Sequence, residues 1–296
     1  MPTSSWESIN SLAAAYPLWL LAAVALCGAL LGSFYNVVVA RLPVMLNRDW
    51  QQQCQQLLAP TVTAEPAPPF NLWLPRSLCP HCQQPIAARD NIPLLSYLLL
   101  RGRCRHCAAA IHWRYPALEL CNAVLVSAAV WHFGFTSDAL FATALIGLSL
   151  ILFAIDSEHL LLPDPLTLGL LWLGLLANLS ARFAPLSDAV VGAAVGYGAL
   201  WLLYWLVKWL TGREAMGYGD FKYTAALGAW FGLEGVLLGL LIASTLGSAV
   251  GIAARTAGRL QRLQQIPFGP FLAIAAVLLL FAQEQFSRWL WGGLGG

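Results

Sequence analysis

The chain has 296 residues, of which 59% are hydrophobic and only 10% carry a charge. Soluble domains carry about 25% charged residues, so this chain has too few to cover a surface that faces water. The composition predicts an integral membrane protein and excludes a disordered chain, a collagen-like repeat and a disulfide-rich secreted scaffold, while the net charge of +2 indicates no nucleic-acid partner.

Eight apolar runs follow one another along the chain, and a helix that crosses a bilayer needs roughly 20 such residues. They cover about 16–39, 116–133, 139–155, 166–179, 189–210, 223–233, 236–254 and 268–282. The long unbroken runs lack the alternation of a membrane barrel, and the first is expected to be a retained helix rather than a removed signal peptide. The predicted fold is therefore an all-α polytopic membrane protein with about eight transmembrane helices, although the short fourth and sixth runs leave six or seven open.

Basic residues predict how the chain is oriented. Fourteen of the 16 Lys and Arg fall in every second loop, which we therefore expect in the cytoplasm. These loops are 41–115, 156–165, 208–222 and 255–266, and only 156–165 holds none of the fourteen. The predicted domains are an N-terminal transmembrane helix (1–40), a cytoplasmic cysteine-rich insert (41–115), a seven-helix membrane domain (116–290) and a tail (291–296). The first half of the insert, with its Gln-rich patch at 51–56 and its prolines, is predicted to be loop-like.

Two C-x-x-C units, Cys79–Cys82 and Cys104–Cys107, stand in the second half of the insert, 21 residues apart. Thiolates two residues apart in a turn can bind one ion, and two such turns complete the four-sulfur shell of a structural zinc site. A pair of disulfides is the alternative, but the predicted cytoplasmic location disfavours it. We therefore predict a zinc site in the insert, where bound metal would supply the folding free energy that a small core cannot. Other side chains are expected to take no part in it: His81, His106, Cys27, Cys54 and Cys121.

Two acidic residues lie where predicted helices meet the membrane surface. Asp156 ends the third run and Asp220 opens the sixth, and both fall on the same predicted face. Acids at the edge of lipid are costly and rarely idle, and two carboxyl groups that share one proton can hydrolyse an amide as in aspartic proteases. Asp220 could instead cap its helix, whereas Asp156 lies at a carboxyl end, where the helix dipole disfavours an anion.

Other acidic residues have structural explanations. Asp164, followed by Pro165, is expected to cap the fourth helix. Glu119 is a third candidate for chemistry, with a partner such as Arg114 or a solvated cavity as the structural explanation. Glu158 is expected to be a solvated loop residue.

Taken together, the motifs resemble those of the bacterial type IV prepilin peptidases, a family of membrane aspartic proteases of the GxGD type. The residues that carry the resemblance are Gly32-Ser33-Phe34-Tyr35-Asn36-Val37-Val38 with Arg41-Leu42-Pro43, the paired C-x-x-C units, Asp90-Asn91-Ile92-Pro93, Tyr115-Pro116 with Glu119, Ile155-Asp156 with Leu162-Pro163-Asp164, and Gly217-Tyr218-Gly219-Asp220. These motifs are distributed along much of the chain, so the resemblance covers nearly the whole of it. Tyr35 departs from the family pattern, in which Leu is common.

The resemblance implies a bifunctional enzyme of the bacterial inner membrane whose active site faces the cytoplasm. Its substrates would be prepilins and type II secretion pseudopilins, which lose a short basic leader and are then N-methylated with S-adenosylmethionine. The family pattern makes Asp156 and Asp220 catalytic and places methylation determinants in the cysteine-bearing insert, where Gly102 is our candidate. A transporter with a cation bound by its intramembrane acids is an alternative, but it would favour broken helices or an inverted repeat, and the sequence indicates neither. The second alternative function is an assembly scaffold with a structural zinc loop.

Overall fold

The structure, a computed structural model, describes residues 17–58, 70–214, 216–258 and 266–292. Within these ranges the chain is almost entirely helical, with no β-strand and two isolated antiparallel bridges, Leu78 with Pro85 and Arg103 with Ala110. In chain order the helices are α1 (Pro17–Leu58), a 3₁₀ helix (Ala88–Asn91), α2 (Leu95–Leu99), α3 (Arg114–Phe133), α4 (Ser137–His159), α5 (Asp164–Asn178), α6 (Leu186–Thr211), α7 (Tyr218–Thr256) and α8 (Gly269–Gly292).

Each of the eight predicted apolar runs lies on one of these helices, which confirms the all-α polytopic fold. Among the described residues, six helices are long and apolar enough to cross a membrane, namely α1, α3, α4, α6, α7 and α8. The difference from eight has two causes. Helix α5 has only 15 residues, and α7 carries two of the predicted spans in its 39 residues.

The chain forms two compact units, residues 1–128 and 129–296. In the N-terminal unit, α1 and α3 run antiparallel in close contact. A Cβ added at Gly28 would lie 2.9 Å from the Cα of Ala123, and one added at Gly32 would lie 2.8 Å from the Cα of Glu119. Two glycines four residues apart therefore let the backbones of two apolar helices approach, as small residues do in membranes.

Helix α1 continues well past the end of the first predicted span. Its 42 residues correspond to about 63 Å at 1.5 Å per residue, roughly twice the ~30 Å thickness of bilayer hydrocarbon. The Gln-rich patch at 51–56 belongs to this helix, so the prediction that it is loop-like is wrong. Gln is a good helix former, and its polar side chain suits the part of a helix that has left the lipid. The prolines that follow lie within 59–69, outside the described residues.

Helices of the C-terminal unit alternate in direction, so their ends gather in two sets. Between α6 and α7, a Cβ added at Gly228 would lie 2.2 Å from the backbone of Gly192, and one added at Gly196 would lie 2.8 Å from the carbonyl oxygen of Thr224. The helices α6 and α7 are therefore antiparallel at this contact. We call the end that holds Asp156 and Asp220 the aspartate end, and the other the distal end.

Helix α7 breaks at Gly232, which has a φ of +71° and a ψ of −169°. The chain reverses direction there, as two contacts show. A Cβ added at Gly239 would lie 3.1 Å from the Leu227 side chain, and one added at Gly247 would lie 3.2 Å from the Phe271 side chain. The halves 218–231 and 233–256 thus form a helical hairpin, and they carry the sixth and seventh predicted spans. The break lies at the end of the sixth predicted span (223–233), so it falls where the sequence predicts one span to end and the next to begin.

The backbone groups released at this hairpin are satisfied by side-chain amides. Gln283 Nε2 donates to the Phe231 carbonyl oxygen at 3.2 Å. Asn178 is fully buried and makes four hydrogen bonds. Its Nδ2 donates to the carbonyl oxygens of Ala229 and Trp230, each at 2.9 Å, and its Oδ1 accepts from the backbone N–H groups of Phe183 and Ala184, each at 3.0 Å. The distal end is therefore fixed by a side chain that uses its whole hydrogen-bonding capacity.

Candidate active site and metal centre

Asp156 lies in the last turn of α4 and is only 5% exposed. Its Oδ2 accepts a hydrogen bond of 2.9 Å from the backbone N–H of Gly269, the first residue of α8. The sequence places Asp156 at the unfavourable end of its own helix dipole, but the structure also places its carboxyl group at the favourable, amino-terminal end of another helix. An otherwise costly buried acid thus receives a directed donor.

Asp220 lies in the first turn of α7 and is 7% exposed. Its Oδ2 accepts a 3.1 Å hydrogen bond from the N–H of Gly217, and its own N–H donates to the Gly217 carbonyl oxygen at 3.2 Å. This is the capping arrangement that the sequence left open. The cap holds the carboxyl group in one orientation, so capping and a chemical role are compatible at this residue.

Leu162 connects the two acidic sites at the aspartate end. A Cβ added at Gly219 would lie 2.6 Å from the Leu162 Cβ, and one added at Gly269 would lie 2.9 Å from the Leu162 Cδ2. The α4–α5 loop therefore inserts this side chain between the amino termini of α7 and α8. The structure thus brings together the two acids, which lie on separate helices.

Gly269 and Leu162 belong to this site, although the sequence analysis did not single them out for it. A Cβ added at Gly269 would lie 2.7 Å from Asp156 Oδ2, so only glycine leaves room for the hydrogen bond to form. A signal was present in Gly269-Pro270, because proline in a first turn marks a helix start. It shows where α8 begins, but not that α4 ends against it.

Asp164 differs from the prediction that it caps a helix. The N-cap of α5 is Pro163, and Asp164 is the first residue of the helix itself. Its carboxylate instead accepts a 2.6 Å hydrogen bond from Lys222 Nζ on α7. This pair joins the starts of α5 and α7 close to Asp220.

The four predicted cysteine ligands converge in the N-terminal unit. The Sγ atoms of Cys79, Cys82, Cys104 and Cys107 all lie within 4.8 Å of one another, and those of Cys79 and Cys107 are 3.9 Å apart. In a tetrahedral site with Zn–S bonds of about 2.3 Å, the sulfurs would be about 3.8 Å apart. All four cysteines are free rather than disulfide-bonded. The donor set therefore fits one tetrahedral metal ion, whereas the alternative of two disulfides is absent among these residues.

The two cysteine turns have the same backbone design. In the first, Cys79 N–H donates to the Gln84 carbonyl oxygen at 3.0 Å, and in the second, Cys104 N–H donates to that of Ala109 at 2.8 Å. The residue after each second cysteine is left-handed, with a φ of 58° at Gln83 and 55° at Ala108. Two equivalent turns face each other, so each contributes two sulfurs to the cluster. His81 and His106 are exposed and lie outside the group of candidate ligands.

The cysteine thiols differ in acidity. Backbone hydrogen bonds from Cys107 and His106 lower the pKa of Cys104 to about 6. The backbone N–H of Ala109 lowers the pKa of Cys107. Desolvation and the neighbouring thiols of Cys104 and Cys82 raise this pKa by a larger amount, so the result is about 11. A bound dication would compensate the charge of the thiolates gathered in this cluster.

Gly102 and Asp90 occupy different positions in the insert. Gly102 has a φ of +67°, and a Cβ added there would lie 3.0 Å from the Tyr97 ring. Its N–H donates to the Tyr97 carbonyl oxygen at 2.8 Å. Asp90 forms an ion pair with Arg105 at 2.5 Å, and this guanidinium lowers the pKa of the Asp90 carboxyl group. Gly102 therefore shapes the backbone behind Tyr97, and Asp90 ties the 3₁₀ helix to the second cysteine turn.

Glu119 is buried on α3, with 9% of its surface exposed. Its Oε2 accepts a 2.8 Å hydrogen bond from the backbone N–H of Leu94, a residue with a φ of +60°. Glu119 lines a cavity of about 570 Å³ in this unit.

Two family models match the chain in succession. The Bacterial Peptidase A24 N-terminal domain matches residues 26–133, and the Type IV leader peptidase family matches residues 143–252. The first range contains the cysteine cluster and Glu119, and the second contains both Asp156 and Asp220. No solved structure shows a significant match.

Curated proteins similar to the chain carry the name prepilin leader peptidase/N-methyltransferase. The protein of Aeromonas hydrophila is 48% identical, over 90% of this chain and 92% of its own length. Those of Stutzerimonas stutzeri and Pseudomonas aeruginosa are 47% and 45% identical, each over 93% of this chain and 94% of their own lengths. Relatives this similar over nearly their whole length confirm the resemblance, and the chain belongs to the type IV leader peptidase family.

Proposed function

We propose that the chain is a membrane aspartic endopeptidase that removes the short basic leader from type IV prepilins and type II secretion pseudopilins, and then N-methylates the new N-terminal residue. Membership of the family and the shared name of its relatives support both activities. The proposal assigns cleavage to the C-terminal unit and methylation to the N-terminal unit, because the acid pair lies in the former and the cysteine cluster in the latter.

The observation that carries the peptidase assignment is the convergence of Asp156 and Asp220 at the aspartate end. One ionised carboxyl group takes a proton from water as the water oxygen bonds to the scissile carbonyl carbon. The protonated partner donates to the carbonyl oxygen, and the C–N bond then breaks as the leaving amine takes up a proton. The N–H groups of Gly269 and Gly217 hold the two acids in place, which supports a fixed geometry for this chemistry.

Replacing either acid tests the assignment. Asp156→Asn and Asp220→Asn should each abolish cleavage of a purified prepilin, while both proteins still insert in the membrane. Asp138→Asn is the matched control, because Asp138 forms an ion pair with Arg182 in the same unit but at the distal end. Near-normal cleavage by either active-site variant would remove that residue from the mechanism.

We also propose that the aspartate end faces the cytoplasm of the bacterial inner membrane. The basic loops support this orientation. A membrane-impermeant thiol reagent should label Ser157→Cys in inverted vesicles, and Ser180→Cys in intact cells, relative to the unsubstituted chain. The reverse pattern would contradict the orientation without affecting the peptidase assignment.

We propose that Cys79, Cys82, Cys104 and Cys107 hold zinc, which would crosslink the two cysteine turns. When bound, S-adenosylmethionine would supply the methyl group for the new N-terminal amine, with its sulfonium sulfur as the leaving group. The residues of the chain would bind and orient the donor and keep water from it.

A transporter or a non-enzymatic assembly scaffold is the alternative function. The break at Gly232 is the feature that a transporter could use, but the carbonyl oxygens of Ala229, Trp230 and Phe231 already accept side-chain donors there. Incubating the purified protein with a prepilin and S-adenosylmethionine, followed by mass spectrometry, separates the classes. Loss of the leader mass and gain of one methyl are expected, and an unchanged substrate would favour the alternatives.

A further inference from the structure

The cavity of about 570 Å³ lies between α1, α3 and the cysteine-bearing insert, and all of its lining residues belong to the N-terminal unit. Its volume falls within the range of small-molecule sites. We propose that this cavity binds the methyl donor S-adenosylmethionine, with Asn36 and Glu119 receiving the cationic amino-acid portion of the molecule. The inference rests on the proposed methyltransferase activity and adds to it a location and two binding residues.

Asn36 supplies the first argument. The residue is 4% exposed and lines the cavity. Its Nδ2 donates to the Tyr115 carbonyl oxygen at 3.1 Å and to that of Gly32 at 3.4 Å. Its buried Oδ1 has no hydrogen-bond partner among the described residues. A buried acceptor left unpaired is costly, so an N–H donor from a ligand would stabilise both the ligand and the protein.

Glu119 places a second acceptor beside the first. It lies one helical turn after Tyr115, whose carbonyl oxygen orients Asn36. The Leu94 N–H holds the Glu119 carboxyl group in the cavity wall. An amide oxygen from α1 and a carboxyl group from α3 favour a ligand that brings donors and positive charge, such as an ammonium and a sulfonium.

The rest of the lining suits the adenosine portion of the donor. Tyr97 and Tyr115 contribute aromatic rings, against which a purine can pack. Cys79 and Cys104 also belong to the lining, so the wall formed by the insert depends on the two cysteine turns. This explains in physical terms how a structural metal could affect methylation without touching the reacting atoms.

The chain offers a matched pair of variants. Asn122 on α3 is also fully buried, donates to an α1 carbonyl oxygen (Gly28, 2.7 Å) and has an unpaired Oδ1, but it does not line the cavity. Asn36→Leu should weaken equilibrium binding of S-adenosylmethionine to the full-length protein by about tenfold or more. Asn122→Leu removes the same chemical groups and should leave the dissociation constant unchanged.

Glu119→Gln tests the charge. The amide keeps an oxygen to accept from Leu94, so the fold should be retained, and metal content and prepilin cleavage are measured to check this. Binding of S-adenosylmethionine, which carries the sulfonium, should weaken more than binding of S-adenosylhomocysteine, which does not. Equal weakening of the two ligands would overturn the role of the Glu119 charge.

The outcomes separate this inference from the proposed function. If the wild-type protein binds and uses S-adenosylmethionine but Asn36→Leu and Glu119→Gln bind it normally, the donor site is elsewhere and the methyltransferase assignment stands. If the wild-type protein neither binds the donor nor yields a methylated product, the proposed methylation itself fails. If Asn36→Leu and Asn122→Leu weaken binding equally, the effect comes from helix packing and the cavity assignment is wrong.

Discussion

The backbone N–H of Gly269 donates a 2.9 Å hydrogen bond to the carboxyl group of Asp156, although the two residues are 113 positions apart. The bond joins the end of α4 to the start of α8. It gives one of the two proposed catalytic acids a donor that cannot rotate away, because the donor belongs to the backbone of a helix. The position of this acid therefore depends on a residue with no side chain of its own.

Replacing Gly269 by alanine should impair cleavage without unfolding the protein. The new Cβ would lie 2.7 Å from Asp156 Oδ2 and must displace the carboxyl group. We expect cleavage to fall by about tenfold or more, since misplacing a catalytic group by about 1 Å costs up to a hundredfold. The measurement is the rate of leader removal in detergent. Gly198→Ala on α6 is the control, because its Cβ would meet no described atom within 4 Å. Equal rates for the two variants would show that Asp156 does not need this position.

Removing a cysteine ligand should remove the metal and affect the two activities unequally. Cys79→Ser and Cys104→Ser should lower zinc from about one ion per chain to near zero by elemental analysis. Methylation should fall more than cleavage, because the acid pair belongs to the other unit. Cys54→Ser changes an exposed thiol outside the cluster and should keep the metal. Should both activities fall together, the metal would be needed for folding of the whole protein.

Gly102 should act on the donor cavity through Tyr97. Gly102→Ala pushes a Cβ to 3.0 Å from the Tyr97 ring, which lines the cavity. Binding of S-adenosylmethionine, measured calorimetrically, should weaken while prepilin cleavage continues. Gly212→Ala matches the backbone strain, with a φ of +68°, but meets no described atom within 4 Å. A loss of binding in the control as well would assign the effect to strain rather than to the ring.

Asn178→Leu should destabilise the C-terminal unit. The substitution removes four hydrogen bonds and leaves the buried N–H of Ala184 without its acceptor. A loss of about 3 kcal/mol or more is expected, since each buried group left unpaired costs about 1–3 kcal/mol. The apparent melting temperature in detergent should drop clearly, whereas Ser157→Ala, at an exposed hydroxyl group, should change it little. An unchanged melting temperature for Asn178→Leu would mean that other contacts hold the hairpin.

Much of this molecule could be predicted because lipid imposes strong rules on a sequence. Apolar runs located every helix except the 3₁₀ helix and α2 of the insert, since a backbone in hydrocarbon must satisfy its own hydrogen bonds. The four cysteines were predicted as one cluster because C-x-x-C spacing is tied to a turn that presents two sulfurs. The placement of Asp156 and Asp220 at one end followed from counting membrane crossings.

The features that sequence reasoning missed depend on contacts between distant segments. Nothing near Asp164 indicates that Lys222 is its partner, and nothing near Gly269 indicates Asp156. The polar end of α1 was missed for a different reason. A Gln-rich patch outside lipid is not evidence for a loop, because glutamine itself favours a helix.

The amide of Asn178 has a consequence for how a substrate can enter. A prepilin brings a long apolar helix, so neighbouring helices of the bundle must part to admit the bond to be cut. At the distal rim, Asn178 and Gln283 join α5 and α8 to the hairpin at Gly232. We therefore expect the distal rim to act as a pivot and the helices to separate beside the two carboxyl groups.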